Sequence, residues 1–254
     1  QEIKWALSDD KIKSVVIRVS SPGGSALISD IMWRDVERLS SKKPVVVSMG
    51  SVAASGGYYL AASATKILAS PTTITGSIGV IGMVPNLSKF KDKYGVSFHT
   101  ITSSERQGVL GLGKSASRED KEIIKEQIEE VYDVFLRKVA KGRHMKKEEV
   151  ELIAGGRVWT GQQAKEIGLV DRLGGLTEAI DEAKNLAPEL KNQKEVQVVR
   201  WQPEIQNIID CFVNLKNLRR CMKGVQVKSL VAIATKNDLI STKEDLESLI
   251  AGFA

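Results

Sequence analysis

The chain is short of most residues that announce a function. Its 254 residues include two cysteines and two histidines, and aromatics make up only 5%. Cys211 and Cys221 lack the companions from which a disulfide framework or a zinc cluster is built, and the pair leaves a single disulfide and the redox compartment open. His99 and His144 stand in strand-like or charged surroundings with no partner pattern, which argues against a histidine-based triad. The 37 basic residues are interleaved with 31 acidic ones, for a net charge of +6. A nucleic-acid groove needs clustered cations and stacking surfaces, so nucleic acid is not an expected partner. No run approaches the roughly 20 apolar residues of a membrane span. No cleavable leader opens the chain, and neither repeats nor low-complexity tracts occur. Gln1 to Leu7 read as the middle of an amphipathic helix, so the chain is expected to start inside a longer protein.

What is present is a globular sequence, 42% hydrophobic, with a core large enough for one large domain or two small ones. A helix near residues 1–10 precedes a buried strand at Ser14–Val19, a helix over Leu27–Leu39 and a second strand at Pro44–Ser48. A small-residue turn then leads into a helix to about Ala64, a strand at Ala64–Ala69, and a Gly/Thr-rich turn over Pro71–Val80 into another strand. Three βα-like units in the first 80 residues predict a parallel sheet with helices on its faces.

Further on, the pattern predicts a helix at Lys89–Tyr94, a strand at Val96–Ile101, a polar surface loop over Ser103–Ser117 and a long amphipathic helix from Arg118 to Lys141. Helices follow over Lys146–Ile153, from Thr160 and over Leu176–Leu186, with a short strand at Gly168–Asp171. After Pro188 the texture changes to a strand at Val196–Val199, a basic helix over Ile205–Met222, and a motif-free end from Lys228.

The densest chemical signal is Val45-Val46-Val47-Ser48-Met49-Gly50-Ser51-Val52-Ala53-Ala54-Ser55-Gly56-Gly57-Tyr58-Tyr59-Leu60. A β-branched run enters a bend of minimal side chains and leaves into a helix start. Backbone or substrate can therefore approach Ser55 closely, and helix-start amides beside it suit a developing oxyanion. The competing reading is a tightly packed turn with Ser55 as a helix cap. Upstream, Ser20-Ser21-Pro22-Gly23-Gly24-Ser25 has the composition of an anion-holding turn, or simply of a link into the next helix.

These two segments, with Thr75-Gly76-Ser77-Ile78-Gly79-Val80, Gly156-Arg157-Val158-Trp159-Thr160-Gly161-Gln162-Gln163-Ala164 and Gly168-Leu169-Val170-Asp171, stand in one order. Together they resemble the signal peptide peptidase A family of serine proteases, peptidase family S49. The resemblance implies an α/β fold of the Clp protease and crotonase type, a parallel sheet with helices on both faces. It covers residues 1–187, with 188–254 as a C-terminal extension. It implies that Ser55 is the nucleophile, that a lysine of depressed pKa is its base, and that Ser77 holds that lysine. Gly23, with Gly24 adjacent, and Gly56 are then the oxyanion donors. No metal or cofactor enters this chemistry, and the partners implied are signal peptides or other apolar peptides and further copies in a ring-like assembly.

The sequence departs from the family's short form in one place. Counted back without gaps from Gly156-Arg157-Val158, the lysine position falls on Gln107, whose amide cannot take up the serine's proton. The double-length members carry the lysine in a first repeat and the serine in a second, and this chain resembles the second. The base is then expected from a missing N-terminal repeat, which would also bring the protein to a bacterial inner membrane or a plastid membrane, while this segment is itself soluble. Lys114 in the same glycine-rich loop, or a neighbouring subunit, are the rival sources. A crotonase-like scaffold without its base, and a crotonase-type acyl-CoA enzyme, are the competing functions.

Overall fold

The structure is a computed structural model, and it describes residues 2–84, 86–96, 116–193, 196–200 and 227–235. One compact unit takes in Gln1–Gly79 and Phe135–Ala254, and another Val80–Val134.

In the first unit the β-branched runs become β1 (Ile12–Ser21) and β2 (Val45–Ala54), parallel neighbours with Val15 opposite Val45 and Val19 opposite Met49. Helix α1 (Glu2–Ser8) precedes them, and α2 (Ala26–Ser40) links them, burying Ser29, Trp33, Val36 and Leu39 along one stripe. Helix α3 (Gly56–Ala61) follows β2. Far along the chain, α8 (Leu176–Leu186) lays Leu176, Ala179, Ile180 and Ala183 on Val16, Val46 and Leu68. The alternate strand residues Val15, Val45, Val47 and Ile67 point to the opposite face and are fully buried as well. Burial on both faces is why these strands read as unbroken apolar runs instead of alternating.

The α/β class with helices on both faces is as the sequence implies, but the sheet is mixed. β3 (Lys66–Ala69) and β4 (Ile74–Gly76) run parallel to β2, whereas β5 (Val158–Thr160) is antiparallel to β4. β8 (Val227–Thr235) is antiparallel to β1, and β7 (Val196–Arg200) is antiparallel to β8. The main order is β5-β4-β2-β1-β8-β7, and β3 pairs β2 and the two-residue β6 (Arg172–Leu173).

Two boundaries differ from the sequence reading. The second strand does not stop at Ser48 but runs to Ala54, because its second half exchanges partners and pairs with β4, Ala54 opposite Gly76. Thr73 Oγ1 donates to the Gly50 carbonyl and Thr75 Oγ1 to that of Ala53, which stitches the changeover. The strand expected at Gly168–Asp171 is instead the closure of α7 (Gly161–Glu166). The amides of Leu169 and Val170 both reach the Ala164 carbonyl, and strand pairing starts only at Arg172. The expected helix start at Thr160 is present as a capping box with Gln163.

Asp171 fastens this closure to the sheet. Its carboxylate accepts from the Ile67 amide at 2.8 Å and from Arg143 at 3.0 Å, with Lys66 at 3.4 Å. Arg143 ends α5 (Arg118–Arg143), and its side chain is only 8% exposed. Burial alone would raise the Asp171 pKa, but the Arg143 bond and charge, the Ile67 amide and Lys66 outweigh it and hold the carboxyl below its ordinary value. A depressed carboxyl stabilises the fold above its unfolded pKa of about 3.9 and loses that contribution as pH falls through the folded value. Asp171→Asn should therefore cost about 3 kcal/mol at pH 7, because it strands a buried guanidinium. The difference from wild type in thermal melts should narrow below about pH 4, and a gap independent of pH would contradict this assignment.

In the second unit, α4 (Ser88–Tyr94) stacks Phe90 and Tyr94 with ring centroids 4.6 Å apart. Gly82 sits so near Ile128 that a Cβ there would come within 2.5 Å of its Cδ1. Among the described residues no helix is long and apolar enough to cross a membrane. Most of the expected strand at Val96–Ile101 and of the loop at Ser103–Ser117, the helix at Ile205–Met222 and both cysteines lie outside the described residues.

Candidate active site

Three chain turns meet where β1, β2 and β4 end. The first is Ser21-Pro22-Gly23-Gly24, in which Gly23 has φ +121°, a conformation L side chains rarely adopt. A Cβ on Gly23 would come within 2.8 Å of Ser55 Cβ and 3.1 Å of both Ser55 Oγ and the Gly56 nitrogen. Bare backbone at Gly23 is thus what allows the first turn to lie against Ser55.

The second turn is Ser55 itself, at φ 49° and ψ −117°. Those angles belong to the first corner of a type II′ turn, which glycine normally occupies. Holding a serine there costs on the order of 1–3 kcal/mol and persists only where the surroundings enforce it. The enforcement is visible: the Ser55 amide donates to the Gly76 carbonyl at 2.9 Å, and its carbonyl accepts from Tyr59 at 2.8 Å. Ser55 stands at the N-cap of α3, yet its side chain makes no capping bond. The capping role is therefore absent, and Ser55 is only partly buried. Gly56 is equally constrained, since a Cβ there would collide with Ser29 Oγ and come within 3.3 Å of the Gly24 nitrogen.

The third turn carries Ser77 at φ 50°. The register that sets Ala54 opposite Gly76 also makes Ser55 and Ser77 the next residues out of the sheet on adjacent strands. The Ser77 amide donates to the Arg157 carbonyl at 2.8 Å, and Gly156 donates to Ile78 at 2.9 Å. The glycine pair at 155 and 156, both with positive φ, is what bends that brace into reach.

Ser55, Ser77, Gly23, Gly24 and Gly56 thus occupy one end of the sheet, and Gly23, Gly24 and Gly56 line a small cleft there with Ser21, Ser29 and Leu60. Ser21 is a residue the sequence reading passed over. Its Oγ accepts from the Gly23 amide at 3.2 Å and so shapes the first turn. A serine immediately before a Pro-Gly-Gly bend is the available signal, as an ST-turn.

Gln107 and Lys114 lie outside the described residues. Among the described residues no hydrogen bond joins Ser55 to a lysine, and several lysines are held elsewhere. Lys43 donates to the carbonyls of Ala6 and Asp9, and burial draws its pKa down despite the raising effect of Asp9 and Asp10. Lys66 pairs with Asp171 and Lys141 with Glu37. Lys138 pairs with Asp30 and stands 3.3 Å over the Trp33 ring.

A mixed sheet flanked by helices, with a strained serine where its parallel strands end, defines an α/β chain of the Clp protease and crotonase type. The chain belongs to peptidase family S49, whose model matches residues 37–190. It is 40% identical over 204 residues to the chloroplastic serine protease SPPA of Arabidopsis thaliana, covering 80% of this chain and 30% of that protein. It is 39% identical over 199 residues to Protease 4 of Haemophilus influenzae, covering 78% of this chain and 32% of that one. Protease 4 of Salmonella typhi is 39% identical over 187 residues, 73% of this chain and 30% of its own length. The chain therefore spans about a third of the length of these relatives.

Proposed function

We propose that this chain supplies the nucleophile and oxyanion hole of a Ser/Lys endopeptidase that degrades remnant signal peptides or other membrane-associated apolar peptides. The observation that carries the proposal is Ser55: a strained serine at a helix start that does not cap the helix, packed against the bare backbone of Gly23, whose own amide is taken by Ser21 Oγ, so that Gly24 and Gly56 are the candidate oxyanion donors. Strain of this kind points to a task for the hydroxyl. Ser55 Oγ attacks the scissile carbonyl carbon while its proton passes to a neutral lysine amine. The carbonyl oxygen becomes an oxyanion facing the amides of Gly24 and Gly56. The C–N bond breaks as the lysine ammonium returns its proton to the leaving amine. Water then adds to the acyl ester, giving its proton to the same lysine, and Ser55 is released.

The base, in this reading, comes from a first repeat of the same protein or from a neighbouring copy in a ring, and Ser77 holds it. Gln107 at the short form's lysine position favours a base from outside this stretch of chain.

A fluorophosphonate probe with peptide mapping tests the reading. The full-length protein is expected to label at Ser55, and the 254-residue chain at least about 100-fold more slowly, general-base assistance being worth about 10²–10⁴-fold. Absence of labelling in the full-length protein would favour the scaffold reading, and fast labelling of the short chain would place the base within it.

A further inference from the structure

Away from this site, Arg18 lies in β1, half-buried, between two strands that each break step beside it. Its Nη1 donates to Ser48 Oγ and to the Met49 carbonyl, both at 2.8 Å. A guanidinium carries five N–H groups. With both hydrogens of Nη1 spent on neutral acceptors, the edge that no described residue bonds is the one formed by Nε and Nη2. That edge presents two parallel N–H groups at the spacing of one carboxylate's two oxygens.

Among the described residues no carboxylate meets Arg18, in contrast to Arg143 with its Asp171. Burial draws the Arg18 guanidinium below its ordinary pKa with no carboxylate opposing it. The backbone around it is irregular on both sides. Pairing with β8 slips between Ile17 and Val19, and pairing with β2 slips between Val19 and Ser21. Such bulges gather where a sheet serves a site.

From this we infer that Arg18, with Ser20 and Ser48 beside it, is a binding site for the carboxylate of a peptide, either its C-terminus or an acidic side chain. The site is separate from the Ser55 chemistry and does not depend on it. Its logic is that of a fixed fork: Ser48 and Met49 hold the guanidinium plane so that one edge stays open for a bidentate anion.

Titration of the 254-residue chain, followed through the arginine Nε–H resonances, tests this. The probes are Ac-Ala-Leu-Ala with a free carboxylate, the same peptide as its amide, and the amide of Ac-Ala-Asp-Ala. The Arg18 resonance is expected to shift with at least one carboxylate peptide and not with the uncharged amide, and the tighter of the two identifies the source. Arg18→Lys, which keeps the charge but loses the edge, should weaken binding at least tenfold. Ser20→Ala, which leaves the guanidinium in place, should weaken it several-fold and serves if Arg18→Lys fails to fold. An equal response to the uncharged amide, no response to either carboxylate, or undiminished binding by folded Arg18→Lys would overturn the inference.

Discussion

Ser55→Ala in the full-length protein is expected to lower peptide turnover by at least about 10³-fold, the scale on which loss of a covalent nucleophile acts, while leaving the melting temperature nearly unchanged. Ser55→Gly makes the sharper pair. The backbone at φ 49° and ψ −117° is one that glycine adopts freely. That variant should be equally inactive and yet more stable, by roughly 1 kcal/mol, as the strain is released. Turnover assays and thermal melts on both variants read the two effects separately. Retained turnover in Ser55→Ala would remove Ser55 from the mechanism. A destabilised Ser55→Gly would mean that the hydroxyl holds the turn together and the strain argument fails.

Gly142→Ala is expected to lower the stability of the chain markedly. Gly142 lies in the last turn of α5, and a Cβ there would overlap the Ala62 carbonyl oxygen and come within 2.7 Å of its carbon. Alanine improves intrinsic helix propensity by about 1 kcal/mol, but the clash is with backbone that cannot rotate aside. Overpacking of this kind costs about 3 kcal/mol, so the net change is destabilising by about 2 kcal/mol, or about 4–8 °C in melting temperature at this size. A variant that melts with wild type would show that α5 can lift from the Ala62 turn without penalty.

Much of this arrangement could be read in the sequence because its main signals are local. The span of α8 follows from apolar spacing alone, and the Thr160 capping box from two residues three apart. Ser55 was legible through its neighbours, since only a turn that must be approached closely concentrates Gly50, Ala53, Ala54, Gly56 and Gly57. What was not legible depends on partners distant in the chain. β2 overran its expected end because β4, some twenty residues later, takes over its pairing. β5 and β6 are too short to carry a period. β8 contains Leu230-Val231-Ala232-Ile233-Ala234, an apolar run that suits helix and strand alike until β1 and β7 claim it. The strain at Ser55 and Ser77 has no sequence signature, because serine tolerates the conformation only where a ladder imposes it.

The antiparallel seam between β1 and β8 joins residues more than two hundred positions apart, Ile12 with Ala234. During synthesis the strand that bears the Pro-Gly-Gly bend waits, one flank unprotected, until more than two hundred further residues have left the ribosome. A nascent chain halted before Val227 would hold that flank open to any passing strand, so the interval before the seam closes is when this protein is most exposed to self-association.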